Sequence, residues 1–579
     1  MKYLLGIDIG SSSVKCALVA VDSGECVATA FSPSSEMQIS SPQQGFAEQD
    51  PIMWWNELTI AMQLLHKEHD FKGNEVAAIG ISYQMHGLVA VDRNGIPVRP
   101  SIIWCDSRAV QTGNNALSSL GEKFCLEHYL NSPGNLTASK LKWVKENEPE
   151  TYKKIYKIML PGDYIAYKLT GEMRTTISGL SEGVMWDAKN NDLAHELLAH
   201  YGIDENLICS KVPQFGEQGV LTKDAAEHLK LAEETPVTYR AGDQPNNAFS
   251  LNVLQPGEIA ATAGTSGVVY GVIDTPSYDP LSRVNSFVHV NHTKEKERYG
   301  VLLCINGTGI LNSWLQKNVF TGMSYPEINK LAASVPIGSD GLLCYPFGNG
   351  AERVLENSDP GSMIKNLHFN RHNRAHLARS AQEGIVFSLF YGIEIMVKMG
   401  LQIKTVRAGK ANMFLSDLFT EAFSNTTGAT IELINTDGAQ GAARAAGLGA
   451  GLYKNPKECF QGLSILKKVE PVESLQKQYG EAYLKWKEKF ELIEKVGGIK
   501  LPHVKQLNFN ERLKVTFNIY GFLFSPIYYI ALGMWKKALT YTVLCISAIP
   551  ACRYIQKKCW VSVFALNPQR GPRCVVNKG

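Results

Sequence analysis

Two distant stretches of this chain repeat one pattern: an apolar strand, a turn of small residues, then a second apolar strand. The first is YLLGIDIGSSSVKCALVAVD, from Tyr3 to Asp22, and the second is GEIAATAGTSGVVYGV, from Gly257 to Val272, about 255 residues later. Apolar residues alternating with small or polar ones suit strands, and Gly, Ser and Thr permit the tight turn between them. Segments with helical spacing follow each hairpin. Such a chain is constrained to an α/β fold built from a duplicated unit.

The intervening sequence fits that frame. GECVATAFSP continues the first hairpin as a third strand. PIMWWNELTIAMQLLHKE has apolar residues at helical spacing, with Pro51 in the first position and Asp50 as its cap. VAAIGISYQ reads as a short buried strand and HGLVAVDRNGIPV as a hairpin about Asn94-Gly95. In the second half, VRAGKANMFLSDLFTEAFSNTTG reads as a turn and then a helix, TIELIN as a strand, and DGAQGAARAAGLGAGLY as a helix of small residues. GLGAGLY superficially matches a dinucleotide fingerprint, but it lies inside a helical pattern without an acidic partner, so it reads as close helix packing. The boundary between the halves is expected between residues 245 and 255, giving one domain over 1–247 and another over 248–495.

At 579 residues the chain is too long for one core. A net charge of +3 gives no sign of nucleic-acid binding, but the average hides an asymmetry. Residues 501–579 hold 11 Lys or Arg against the single acid Glu511, so the rest of the chain is mildly acidic. The 12 cysteines show no CxxC pair, which argues against a zinc site or a disulfide framework. Cys16, Cys26, Cys105 and Cys304 sit among apolar neighbours and read as small buried hydrophobes. MKYLLGIDIG is too short an apolar run, interrupted by Asp8, for a signal peptide, so a cytoplasmic location is expected.

Three segments carry chemistry. In GIDIGSSSVK, Asp8 ends a buried strand and Gly10, Ser11, Ser12 and Ser13 form the turn. Backbone N–H groups of such a turn can cradle phosphate oxygens while the carboxylate holds Mg²⁺, and Lys15 can add positive charge. An ordinary hairpin with a capping Asp is the alternative. In TAGTSG, the turn of Gly264, Thr265 and Ser266 repeats the arrangement. In AGDQPNNAF, Asp243 follows a strand at a glycine, where a carboxylate can serve as the base for phosphoryl transfer to an alcohol. Taken locally, Asp243 reads rather as the cap of the helix that follows.

ISYQMHG, WCDSR, TASKLKWVKEN, LPGDYIAYKLTGE, AGDQ and AGTSG occur in the order and spacing of the FGGY family of carbohydrate kinases. The chain resembles that family from about residue 3 to residue 490. The resemblance implies two actin-like (ribonuclease-H-like) α/β domains around a cleft, with sugar mainly on the first and ATP mainly on the second, and Mg²⁺ as the metal. It implies Asp243 as the general base, Asp8 with Asp243 as the metal carboxylates, and a homodimer. It also implies sugar contacts from Met85 and His86 of QMHG, from Trp104 and Asp106 of WCDSR, and from Gln244. The QMHG segment resembles that of members acting on D-xylulose, with ribulose or gluconate as alternative acceptors and a non-catalytic sugar sensor as the reading from another class. Arg108 reads as a structural ion-pair partner, and Trp54 and Trp55 as core.

The chain also departs from the family pattern. Gln244-Pro245 follow Asp243, and GAERVLEN keeps Glu352 and Arg353 of a Gly-Glu-Arg-Thr-Pro segment while losing Thr-Pro. On the adenosine side, Gly409 is the clear match in Arg407–Asn412, with Asn412 the other candidate contact. The resemblance ends before the basic extension, 496–579. There Val515–Trp535 and Ala538–Cys552 carry no charge. The first is long enough to span a bilayer, so the extension reads as a segment associating with the inner membrane, a fusion or frame-shifted product, or a buried third layer.

Overall fold

Tyr3–Ile9 (β1) and Val14–Ala20 (β2) pair antiparallel from Tyr3↔Ala20 to Ile9↔Val14, as the alternating pattern predicts. The structure is a computed structural model that describes residues 1–497, of which 1–490 form one compact unit. Cys26–Ser32 (β3) extends the hairpin, while Val76–Tyr83 (β4) and Val237–Gly242 (β5) add in parallel on the other side, giving the order β5-β4-β1-β2-β3.

The second sheet is built from Glu258–Ala263 (β6), Gly267–Ile273 (β7), Asn285–Val288 (β8), Tyr299–Ile305 (β9), Thr405–Gly409 (β10), Thr430–Ile434 (β11) and Ile465–Val469 (β12). Its order is β8-β9-β7-β6-β10-β11-β12. The run β9-β7-β6-β10-β11 matches β3-β2-β1-β4-β5 strand for strand, antiparallel across the three hairpin strands and parallel across the rest. The result is a mixed α/β fold with two lobes about a cleft. The expected boundary at 245–255 falls in the helix Asp243–Ser250 (α3) and the loop after it.

Helix α1 (Pro51–Glu68) starts where expected, with the Asp50 carboxylate accepting the Ile52 N–H at 2.9 Å. It buries Trp54, Trp55, Leu58, Met62 and Leu65 against the first sheet, which bears out the reading of both tryptophans as core. Between it and α3 lies Ile177–Glu182 (α2). Beyond β9 come Gly309–Asn318 (α4) and Arg374–Lys398 (α5). The small-residue helix Gly438–Gly449 (α6) comes from the second half yet packs on the other face of the first sheet. A methyl group added at Gly6 would lie 1.8 Å from the Ala439 carbonyl oxygen, and one at Gly80 2.0 Å from that of Ala442. Close packing, not nucleotide binding, thus accounts for the small residues of this helix.

Three expectations change. VRAG forms β10 rather than a turn, because its backbone pairs with β6 on one side and β11 on the other. The Asn94-Gly95 turn forms, but the strand Val89–Val91 pairs along its length with Lys157–Met159, and the returning arm makes one bridge at Pro97. Proline has no N–H with which to continue a ladder. Cys105 is exposed and Cys26 and Cys304 are partly so; Cys16 alone of the four is fully enclosed.

The edge strand β8 is closed by side chains of the first lobe. Asn131 donates to the Ser286 carbonyl at 2.6 Å and accepts the Ser286 N–H at 3.0 Å, and Ser181 Oγ accepts the Val288 N–H at 3.0 Å. At the end of the described chain, Glu473–Gly497 (α7) buries Tyr479, Tyr483, Trp486 and Phe490, with Trp486 Nε1 donating to the Cys344 carbonyl at 2.8 Å. Among the described residues no helix is long and apolar enough to cross a membrane. The uncharged stretches 515–535 and 538–552 lie outside the described residues.

The glycine contacts give a direct test. Gly80→Val is expected to lower the unfolding free energy by about 3 kcal/mol. Gly480→Ala, on α7 with nothing within 4 Å of the added methyl, should raise it by up to about 1 kcal/mol. Urea unfolding of the full chain measures both.

Candidate active site

Asp8 stands near the end of β1, opposite Ser82 of the parallel strand β4. The turn after it closes through a bond from Gly10 N–H to the Ser13 carbonyl at 3.0 Å. The Ser11 and Ser12 carbonyls accept from Gln49 Nε2 at 2.7 Å and Met37 N–H at 2.8 Å. Among the described residues the N–H groups of Ser11, Ser12 and Ser13 have no protein acceptor, which suits an anion. Lys15 is not free: it pairs with Asp437, whose carboxylate also caps α6 through the Gln440 N–H at 3.0 Å. Burial pushes the Asp8 carboxyl up and the Asp437 charge adds to the push, against the Ser82 hydroxyl and the Lys15 ammonium.

Asp243 is the first residue of α3, and Gly242 holds the cap position. The helix-cap alternative therefore falls on its neighbour. Burial, and then the charge of Asp8, push the Asp243 carboxyl up to about 7, and Gln244 Nε2 donates to it at 3.1 Å. Glycine is required at 242, because an added methyl would lie 2.4 Å from Glu182 Oε2 and 2.5 Å from Met85 Cγ. Glu182, at the end of α2, is fully buried, and its carboxyl is pushed well up by burial and by the Asp243 charge.

His86 has a left-handed backbone, φ 60°, that turns its ring toward Phe287 of the second lobe, with centroids 5.4 Å apart. Its Nδ1 lies 2.9 Å from the Glu182 carbonyl, which can only accept, so Nδ1 carries the proton. Burial, with Lys140 and Arg353 adding, lowers the imidazole to about 3. The ring is thus neutral, and Nε2 is the acceptor.

The other expected sugar residues differ in what they offer. Trp104 is half exposed and its Nε1 reaches Ser11 Oγ at 3.3 Å, joining the sugar-side loop to the first turn. Met85 is 4% exposed and packs with Tyr270, Phe287 and Leu302, leaving little surface for a ligand. Asp106 corrects its expected place. Its side chain is enclosed, accepts the Ala47 N–H at 2.6 Å and pairs with Arg108 at 2.7 Å, so it organises the loop instead of meeting a sugar. Arg108, also paired with Glu48, is the structural partner it was expected to be.

The second turn packs on α4: Gly264 and Thr265 carbonyls accept the Gly309 and Ile310 N–H groups at 2.8 and 3.1 Å. Beside it opens a cavity of about 410 Å³ lined by Gly264, Thr265, Ile310, Tyr325, Asn329 and Asn412 among others. Asn412 closes on the turn, with Nδ2 3.4 Å from where a Gly264 methyl would stand. Gly409 ends β10 and is not in the lining. Ser266 neighbours Cys304, whose thiol is pushed up chiefly by burial and also by the charges of Glu352 and Asp243.

The structure therefore brings Asp8, Asp243, His86 and Gln244 to one region and Gly264, Thr265 and Asn412 to the cavity. Glu182 and Asp437 were missed. The Asp437-Gly438 opening of a small-residue helix was a readable capping signal; nothing local marks Glu182. Among the described residues no group of three or more His, Cys, Asp or Glu could hold a metal ion alone.

Two models of a single family match this chain: the N-terminal domain of the FGGY family of carbohydrate kinases over residues 3–250, and its C-terminal domain over 259–450. The chain belongs to the FGGY family. It is an ATP-dependent sugar kinase of that family. A third model, for a protein family of unknown function (DUF2628), matches residues 472–565 and so includes α7. The xylulose kinase of Staphylococcus xylosus is 29% identical over 494 residues, covering 83% of this chain and 98% of that protein. Among solved structures, ligand-bound xylulose kinase from Lactobacillus acidophilus superposes with a TM-score of 0.78 at 21% identity, covering 85% of this chain and 98% of its own. Gluconate kinase from the same organism gives 0.77 at 21%, with the same coverage. At these identities the two structures support the fold alone.

The raised Asp243 value has a measurable consequence. Between its unfolded pKa near 3.8 and its folded value near 7 the native state holds a proton that the unfolded state lacks, so stability falls as pH rises through that window. Asp243→Asn removes this loss. Thermal melts should show the variant more stable than the parent at pH 8, with the difference vanishing below about pH 4.

Proposed function

We propose that the chain phosphorylates D-xylulose, forming D-xylulose 5-phosphate and ADP, with Asp243 as the base. The observation that carries this reading is the pairing of a carboxyl titrating near neutrality with a neutral His86 whose free nitrogen can accept from a sugar hydroxyl. Support for xylulose comes from the resemblance of the Met85-His86 segment and from the name of a relative, the xylulose kinase of Staphylococcus xylosus. The equivalent strand order of the two sheets supports reading 1–247 and 248–495 as copies of one unit.

In this reading His86 Nε2 and Gln244 orient the acceptor. The attacking hydroxyl gives its proton to the Asp243 carboxylate as its oxygen bonds to the γ-phosphorus of ATP. The bond from that phosphorus to the bridging oxygen breaks, and its electron pair leaves on ADP. The N–H groups of Ser11–Ser13 and of the Gly264–Ser266 turn hold phosphate oxygens, and the cavity at Asn412 and Tyr325 takes the adenosine. Mg²⁺, held by Asp8 through water, would spread the phosphate charge. Approach of the lobes excludes water, which would otherwise accept the phosphoryl group.

Because Asp243 must be ionised to accept the proton, kcat/KM should rise with pH and level off above about 7. Asp243→Ala should lose at least about 10³-fold in kcat while nucleotide affinity stays within about twofold. Coupled ADP-release kinetics on D-xylulose, D-ribulose, L-ribulose and D-gluconate decide the acceptor; a higher kcat/KM on gluconate would replace xylulose in this scheme.

A further inference from the structure

Buried arginines in this molecule are mostly neutralised by carboxylates. Arg240 pairs with Asp163, Arg379 with Glu383, Arg108 with Asp106 and Glu48, and Arg99 with Glu48 and Glu148. Arg353 does not follow this rule. Its hydrogen-bond acceptor is an amide oxygen, Asn285 Oδ1, at 2.8 Å, and no carboxylate among the described residues forms an ion pair with it. Its chain neighbour Glu352 turns away, accepting the N–H groups of Asn306 and Gly307 at 3.0 and 3.2 Å. Arg444, also without an ion pair, is sealed at 1% exposure and bonded to Thr436 Oγ1 and the Gly24 carbonyl. Arg353 is instead partly open.

Its surroundings locate it. The Arg353 charge acts on His86 of the sugar side and on Cys304, which neighbours Ser266 of the second turn and feels Asp243. Its guanidinium also approaches the first-lobe loop at Gly134, about 4.0 Å from a methyl built there. A cation withdrawn from water without a counter-ion costs several kcal/mol unless a ligand supplies the negative charge. One nitrogen is committed to Asn285, and the planar guanidinium has further donors suited to anionic oxygens.

We propose that Arg353 is a further catalytic residue, contacting the phosphoryl group as it passes to the sugar and remaining on the sugar phosphate formed. The proposal rests on the kinase reading above. The guanidinium stays protonated throughout, so the atom and electron balance is unchanged: the hydroxyl proton goes to Asp243 and the broken bond's electron pair to ADP. Its work is to offset negative charge at the acceptor end, where neutral His86 supplies none.

The test uses the full chain with Arg353→Ala and Arg353→Lys. With the preferred sugar, Arg353→Ala should lower kcat by about 10²–10³-fold with KM within about threefold. About 50 mM guanidinium should restore at least about tenfold, and Arg353→Lys should recover only part, since an ammonium cannot form the planar two-point contact. A kcat within about threefold of the parent overturns the proposal. So does an effect confined to KM for a sugar acid, which would make Arg353 a carboxylate contact. If Arg353→Ala melts far below the parent, Arg353→Met, which keeps the stem, takes its place. Calorimetric binding of D-xylulose 5-phosphate separates this proposal from the kinase reading. About tenfold weaker binding in the variant supports the contact even if the parent transfers phosphate to none of the sugars, and unchanged binding overturns it.

Discussion

The seating of α6 on the first sheet is the contact on which the site depends. Gly6 and Gly80 let the helix backbone approach β1 and β4 to the limit of contact, and Gly441 does the same toward Ser250 of α3. A helix from the second half is thereby wedged between the first sheet and α3. Its leading residue, Asp437, meets Lys15 of the first hairpin, and the Gly438 carbonyl accepts Asn246 Nδ2 at 2.8 Å. Asp8 on β1 and Asp243 just after β5 belong to one sheet beside the start of this helix, and the charge of Asp8 acts on Asp243. A bulkier residue at any of these glycines would act on the chemistry as well as on stability.

That packing gathers negative charge. The carboxyls of Asp8, Glu182 and Asp243 are raised first by burial and then by a neighbouring carboxylate, Asp437 acting on Asp8, Asp243 on Glu182 and Asp8 on Asp243. A raised carboxyl is a better proton acceptor once ionised, and burying Asp243 lowers stability near neutral pH. Lys15 is absorbed by Asp437 and Lys140 by backbone carbonyls of His86 and Ile103. Positive charge at the acceptor end is correspondingly scarce.

The hairpins and α1 were legible because their periodicity is long and their turns or caps are chemically marked. Strand β10 was not, since the four residues VRAG carry no period and become a strand only when neighbours offer partners on both sides. Asp106 and Arg108 stand two residues apart, and their mutual satisfaction lay in that spacing; the motif drew attention to the acid alone. Glu182 had no local mark, being brought to Gly242 by α2 and β5 from sequence 60 residues apart. Arg353 could be seen as a residue, but a missing counter-ion exists only in three dimensions. In Arg407–Asn412, where the sequence departs most from the family pattern, Asn412 lines the cavity and Gly409 does not.

The bonds of Asn131 and Ser181 to β8 have a further consequence. An open sheet edge is a template for a foreign strand, and this sheet has two. At β8 the outward Ser286 and Val288 groups are occupied by side chains, so an incoming strand would first have to displace an amide that already imitates one. At β12 the edge strand carries Lys467 and Lys468 between its end residues Ile465 and Val469, and charge there discourages pairing. The second lobe is thus shielded at both margins from edge-to-edge aggregation, and at β8 that shield also borders His86, whose ring meets Phe287.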